Sequence, residues 1–273
     1  MDNRAIGVFD SGLGGLTVVK ELIKKLPNED IIYFGDTARV PYGSHNRETI
    51  IEFAKQDLNF LLSHDVKAVL VACGTASSTA LEELKKSTDV PVLGVIEAAA
   101  QSAARATKNK KIAVLATSAT IKSHAYSKAI AVEYPDVSVV EKACPLFVPL
   151  VENGYIDRGN VVTGLVIDDY LKGISDFGFD TVILGCTHYP IIKELIQDRL
   201  PGVNIVESGK ESINELSELL DEHSMKTSNT QTGKRKFYAS ENVDDFAKIG
   251  GMFLGSMIND KIQKINIDDY KIN

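Results

Sequence analysis

The chain has 273 residues, 44% hydrophobic and 25% charged, a composition that excludes a disordered or fibrous protein. Its 30 Lys and Arg stand against 37 Asp and Glu, a net charge of -7 with no dense basic arm, so no nucleic-acid partner is expected. The cysteines Cys73, Cys144 and Cys186 form no CxxC pair, and no apolar stretch approaches the ~18 residues of a membrane span, so free thiols, no membrane partner and a cytoplasmic setting are expected.

Apolar runs of strand length alternate with stretches of helical period. In the first half, strands are expected from Ile6 (IGVF), Ile31 (IIYF), Lys67 (KAVLVA) and Val92 (VLGV). Helices are expected near Leu16–Leu26, Asn46–Ser63 and Ser78–Lys86; in the first, Leu16, Val19, Ile23 and Leu26 step by three and four and share one face. The order then recurs, with strands from Ile112 (IAVLA), Val137 (VSVV), Thr181 (TVILG) and Asn204 (NIV) and helical stretches over Ala119–Glu133, Arg158–Ser175 and Ile191–Leu200. After Glu207 the chain turns polar, and Ser224–Lys236 reads as a solvated loop before a strand at Phe237 (FYAS) and a final helix from Val243.

This is the pattern of an α/β fold with mostly parallel sheets, duplicated into two pseudo-symmetric doubly wound domains. The expected division is 1–97 with 208–273, a discontinuous first domain, and 98–207. In both copies the third strand ends in a cysteine, VLVACGT at Cys73 and VILGCTH at Cys186. Functional crevices of open α/β sheets lie beyond the carboxyl ends of the strands, so the two thiols are expected on opposite walls of one cleft between the domains.

Each cysteine precedes a turn that opens a helix, where backbone N–H groups and the helix dipole are expected to lower a thiol pKa and fit it for proton transfer. Buried packing is the plain alternative for either alone, and it remains the reading for Cys144, which has no counterpart. His188 is placed to activate Cys186, and Asp10 at the end of the first strand to assist Cys73, although an Asp-Ser pair there also reads as a helix cap. Gly12-x-Gly14 lacks the third glycine of a dinucleotide fingerprint, so a small anion held near Ser11 or in Pro41-Tyr42-Gly43 fits better than a pyrophosphate. Thr75, Thr117, Thr120 and Thr187 follow strand ends, where hydroxyls either cap helices or bind ligand oxygens.

Together VFDSGLGGLTV, YFGDTARVPYG, VLVACGTAS, CPLFVPLVE and VILGCTHYP, in that order from residue 8 to residue 190, resemble the glutamate racemases of the aspartate/glutamate racemase superfamily. The resemblance implies cofactor-independent inversion at Cα of glutamate, supplying D-glutamate for peptidoglycan. It implies Cys73 and Cys186 as the acid/base pair, Asp10 and His188 as their assistants and Glu152 as an auxiliary acid. Asp10, Ser11, Tyr42, Gly43, residue 74, Thr75, Thr117, Thr120, Thr187 and His188 would hold substrate, with a homodimer as the expected assembly.

One position departs. Where the family carries Asn after the first cysteine, this chain has Gly74. Restoring Asn is expected to return a lost donor and raise activity; the competing outcome is that neighbours have closed on the glycine and Asn would clash. The rival readings are a racemase for another amino acid such as aspartate, a Cys-His hydrolase built on Cys186 and His188, and a binding or regulatory relative whose turnover Gly74 impairs.

Overall fold

A computed structural model describes residues 1–255, 258 and 262–271. The chain lays down β1 (Ile6–Asp10), β2 (Ile31–Gly35), β3 (Ala68–Val71) and β4 (Val92–Leu93), alternating with α1 (Leu16–Lys25), α2 (Arg47–Leu62) and α3 (Gly74–Lys85). After α4 (Glu97–Ala106) come β5 (Lys111–Ala116), α5 (Ser118–Ser123), α6 (Ala125–Glu133), β6 (Ser138–Ala143), α7 (Phe147–Glu152), α8 (Val161–Lys172), β7 (Thr181–Leu184), α9 (Lys193–Arg199) and β8 (Asn204–Glu207). The chain then returns through α10 (Ser208–Glu222), β9 (Arg235–Ala239), α11 (Val243–Leu254) and β10 (Gln263–Lys264). No helix among the described residues is long and apolar enough to cross a membrane.

Every residue of β1, β2 and β3 is buried, as expected for parallel strands covered by helices on both faces. The first sheet runs β10-β9-β2-β1-β3-β4 and the second β6-β5-β7-β8, all strands parallel. The order β2-β1-β3-β4 is therefore repeated as β6-β5-β7-β8.

Register sharpens the repeat. Phe9 of β1 lies opposite Val71 of β3, and Leu115 of β5 opposite Leu184 of β7. Ala72 N–H donates to the Phe9 carbonyl at 2.9 Å, and Gly185 N–H to the Leu115 carbonyl at 2.8 Å. One residue further on stand Cys73 and Cys186, the same position in two copies. By the same reasoning Asp36, whose N–H donates to the Asp10 carbonyl at 3.0 Å, matches Cys144, whose N–H donates to the Ala116 carbonyl at 2.9 Å. Cys144 does have a positional counterpart, and it is an aspartate.

Several local expectations need correction. The polar chain after Glu207 is a 15-residue helix, α10, whose buried Ile213, Leu216 and Leu220 step by three and four while it packs on both α1 and α4. The stretch expected as one helix over Ala119–Glu133 breaks at His124, held at φ 54 between α5 and α6. The third helix begins at Gly74 rather than Ser78, with Cys73 as its cap. Between Arg158 and Ser175 the regular helix covers only Val161–Lys172, because Asn160 Oδ1 accepts the Thr163 N–H at 3.0 Å and starts it there.

Candidate active site

The two cysteine loops line a single cavity of about 620 Å³. Of the residues singled out in the sequence, Ser11, Tyr42, Gly43, Cys73, Gly74, Thr75, Thr117, Glu152, Cys186, Thr187 and His188 reach its wall. Asp10 and Thr120 are 1% exposed and stand behind it.

Cys73 follows β3 and accepts the Ala76 N–H at 3.5 Å, with the Ser11 hydroxyl 3.4 Å from its sulfur. The helix terminus does not win here. Burial and the Asp10 charge push the Cys73 thiol up to about 12, outweighing Ser11 and the Ala76 N–H, so the expectation of a lowered pKa fails at this cysteine. Burial also raises the Asp10 carboxyl, against the His188 charge and the Gly15 and Gly12 N–H groups. Its Oδ2 accepts the Gly12 N–H at 3.0 Å, while buried Oδ1 has no partner among the described residues. Asp10 thus does not cap α1, whose N-cap is Gly15.

Cys186 has a different neighbour. Its sulfur lies 3.9 Å from His188 Nδ1, and His188 Nε2 lies 3.0 Å from Glu152 Oε1 at the end of α7. Burial alone would lower the imidazole pKa, but hydrogen bonds and charge from Cys186 and Glu152 prevail and hold it at about 10. His188 therefore carries a second proton at neutral pH. Its ring also meets Phe253 of α11 edge-on, centroids 5.2 Å apart.

Contacts from the first sheet hold the second thiol loop. Thr17 Oγ1 donates to the Thr187 carbonyl at 2.9 Å. A Cβ on Gly14 would collide with Thr187 Oγ1 and lie 2.5 Å from His188 Nδ1, so this glycine is needed for close approach to the thiol loop. Thr75 Oγ1 is 3.1 Å from Thr117 Oγ1, itself 3.0 Å from Thr120 Oγ1, which makes a hydroxyl chain between the sheets. The Tyr42 side chain is 1% exposed and its hydroxyl is engaged by Asp36 and Asp57, so its backbone is what it can offer a ligand.

At Gly74 a Cβ would lie 2.6 Å from the Gly185 carbonyl oxygen, on the opposite thiol loop. The two walls have closed on the glycine, which goes against the expected gain from Asn and favours the competing clash.

The model of the Asp/Glu/hydantoin racemase family matches residues 6–216, which include both thiol loops. The chain belongs to that family. The glutamate racemase of Geobacter metallireducens is 44% identical over 261 residues, 95% of this chain and 96% of its own. The crystal structure of glutamate racemase from Francisella tularensis in complex with D-glutamate has a TM-score of 0.92 at 39% identity, covering 99% of this chain and 100% of that one. Picrophilus torridus aspartate racemase, 16% identical with a TM-score of 0.56 over 82% of this chain and 100% of its own, shares the fold alone.

Sequence reasoning missed the apolar side of the cleft, where Cys144, Pro145, Val148 and Pro149 line it. CPLFVPLVE carries them, but its only separate signal was the match to Glu152.

Proposed function

We propose that this protein is a cofactor-independent glutamate racemase that interconverts L- and D-glutamate through Cys73 and Cys186, on domains 1–97 with 208–273 and 98–207. The observation that carries this reading is the pair of thiols at one register position of two equivalent sheets, both on the wall of one cavity. The relatives that are glutamate racemases over nearly the whole chain favour glutamate as substrate.

Inversion at Cα requires that one group remove the proton from one face and another return a proton on the opposite face. Cys73, which keeps its proton, serves as the donor. Cys186, beside an imidazolium that donates toward its sulfur, serves as the acceptor. The electron pair left at Cα spreads into the carboxylate, and hydroxyls of Thr75, Thr117 and Thr187 with the backbone N–H groups of the two loops stabilise that charge. In the reverse direction the sulfurs exchange roles: the Cys73 proton passes to the Asp10 carboxylate, and the His188 imidazolium gives its proton to Cys186, which becomes the donor. Glu152 holds His188 in orientation.

Such an enzyme supplies D-glutamate for peptidoglycan in the cytoplasm, and a homodimer is part of the proposal. Proton NMR of L-glutamate with the purified protein in D₂O tests the reaction: solvent deuterium appears at Cα and optical activity falls to zero. Product release without exchange would instead indicate a hydrolase, and neither change a binding protein.

A further inference from the structure

Beneath the cleft-lining segment Val40–Ser44 lies a buried polar network that the reaction above does not use. Asp36 follows β2, Gln56 and Asp57 belong to α2, and Ser240 follows β9; both aspartates are 0% exposed. Tyr42 Oη lies 2.5 Å from Asp36 Oδ2 and 2.7 Å from Asp57 Oδ2. Arg39 donates through Nε to Asp36 Oδ2 at 2.5 Å, through Nη2 to Asp57 Oδ1 at 2.9 Å, and through Nη1 to Gln56 Oε1. Its guanidinium stacks 4.1 Å from the Phe53 ring centroid, and Ser240 Oγ donates to Asp36 Oδ1 at 2.9 Å.

Counting protons shows what the network must contain. A phenol has one proton, yet its oxygen sits within hydrogen-bond distance of two carboxylate oxygens. One contact is the phenol donating; the other needs a proton from a carboxyl group, since two bare lone pairs would repel. Asp36 already accepts from Arg39 and Ser240, so the extra proton belongs on Asp57. Burial and the Asp36 charge raise the Asp57 carboxyl well above the carboxylate range, against Arg39 and Tyr42, with Asp10 adding to the rise. One cation, one anion and one neutral acid then leave the site uncharged. The second sheet has no such device at the equivalent place, where Cys144 stands instead of Asp36.

We propose that Asp36, Arg39 and Asp57 are positioning residues that hold the cleft wall Val40–Ser44 through the Tyr42 phenol, with the network closed by a proton kept on Asp57. This deepens the glutamate racemase reading and rests on it for its kinetic test.

The test is Asp57→Asn against Asp57→Ala and Tyr42→Phe. The amide of D57N keeps an N–H toward the phenol oxygen and a carbonyl toward Arg39, so KM and kcat stay within about threefold of wild type. D57A and Y42F raise KM for glutamate by about tenfold, with kcat changed less, because a loosened wall costs binding. If D57N is as damaging as D57A, the proton assignment is overturned. Wild-type KM in both D57A and Y42F overturns the positioning role, and Y42F alone decides that arm should D57A not fold. Independently of turnover, the infrared difference between wild type and D57N at neutral pH shows the carbonyl band of a protonated carboxyl. Its absence removes the proton from Asp57 even if the protein racemises glutamate; its presence in a protein inert toward glutamate overturns the proposed reaction and leaves the proton in place.

Discussion

Cys73 and Cys186 occupy one position in two copies of the same sheet, yet their surroundings are opposite in charge. Behind Cys73 stands the Asp10 carboxyl, and the thiol keeps its proton; beside Cys186 stands an imidazole that carries a second proton of its own. Duplication of a fold thus supplies position, and the residues added around each copy supply acid–base state. A two-base inversion needs that inequality, because at any instant one sulfur must be able to give a proton and the other to take one.

Removing either wall breaks the comparison outright. Cys73→Ala and Cys186→Ala each lower racemisation by about 10³-fold or more. Deuterium wash-in sharpens it: each variant retains exchange at Cα of only one enantiomer, and not the same one. Exchange of the same enantiomer by both would refute the assignment to opposite faces.

His188→Asn removes what makes the second wall different, and kcat falls by about 10²-fold. Its pH signature follows from the sign of the shift. A histidine raised from 6.5 to about 10 stabilises the fold fully below pH 6.5 and loses that contribution as pH rises through about 10. Thermal melts of wild type therefore decline across that window more steeply than those of H188N; parallel curves would mean that the contacts with Cys186 and Glu152 hold no extra proton.

Gly74→Asn tests the closeness of the walls. With the Gly185 carbonyl 2.6 Å from the added Cβ, the loops must part, and kcat for glutamate falls by about tenfold. A gain in glutamate turnover would show that the missing donor matters more than the spacing, and measuring aspartate alongside separates lost activity from altered specificity. The smallest effect belongs to Cys144→Ala. This buried thiol lies on the cleft wall and is pushed up to about 12 chiefly by burial, so the variant keeps most activity and loses about 1 kcal/mol of stability, read from urea melts.

The strands were legible because parallel strands buried on both faces read as unbroken apolar runs; IGVF, IIYF and VILG could hardly be anything else. Helix α10 was not, because ten of its 15 residues are polar and its narrow apolar stripe makes sense only once α1 and α4 lie against it. Both thiols could be placed from strand ends alone, whereas Glu152 sits on a six-residue helix with no periodicity to read and came only through family resemblance. The lowered Cys73 pKa was expected because a helix N-terminus is visible in sequence, whereas the depth at which the thiol is buried beside the Asp10 charge is not. For the same reason YFGDTARVPYG showed Tyr42 but not the aspartate on α2 that turns its hydroxyl away from the cleft.

The first sheet draws its strands from both ends of the chain, and this bears on how the protein is made. In the finished fold β2 lies between β1 and β9, with Tyr33 paired to Phe237. On the ribosome, Phe237 emerges only after the whole second sheet has been synthesised. Until then the apolar strand IIYF is an open edge with unpaired backbone groups, the kind of surface that recruits chaperones or other nascent chains. The half of the molecule that begins translation first is the last to be completed, and chains stalled before Arg235 are the ones expected to aggregate.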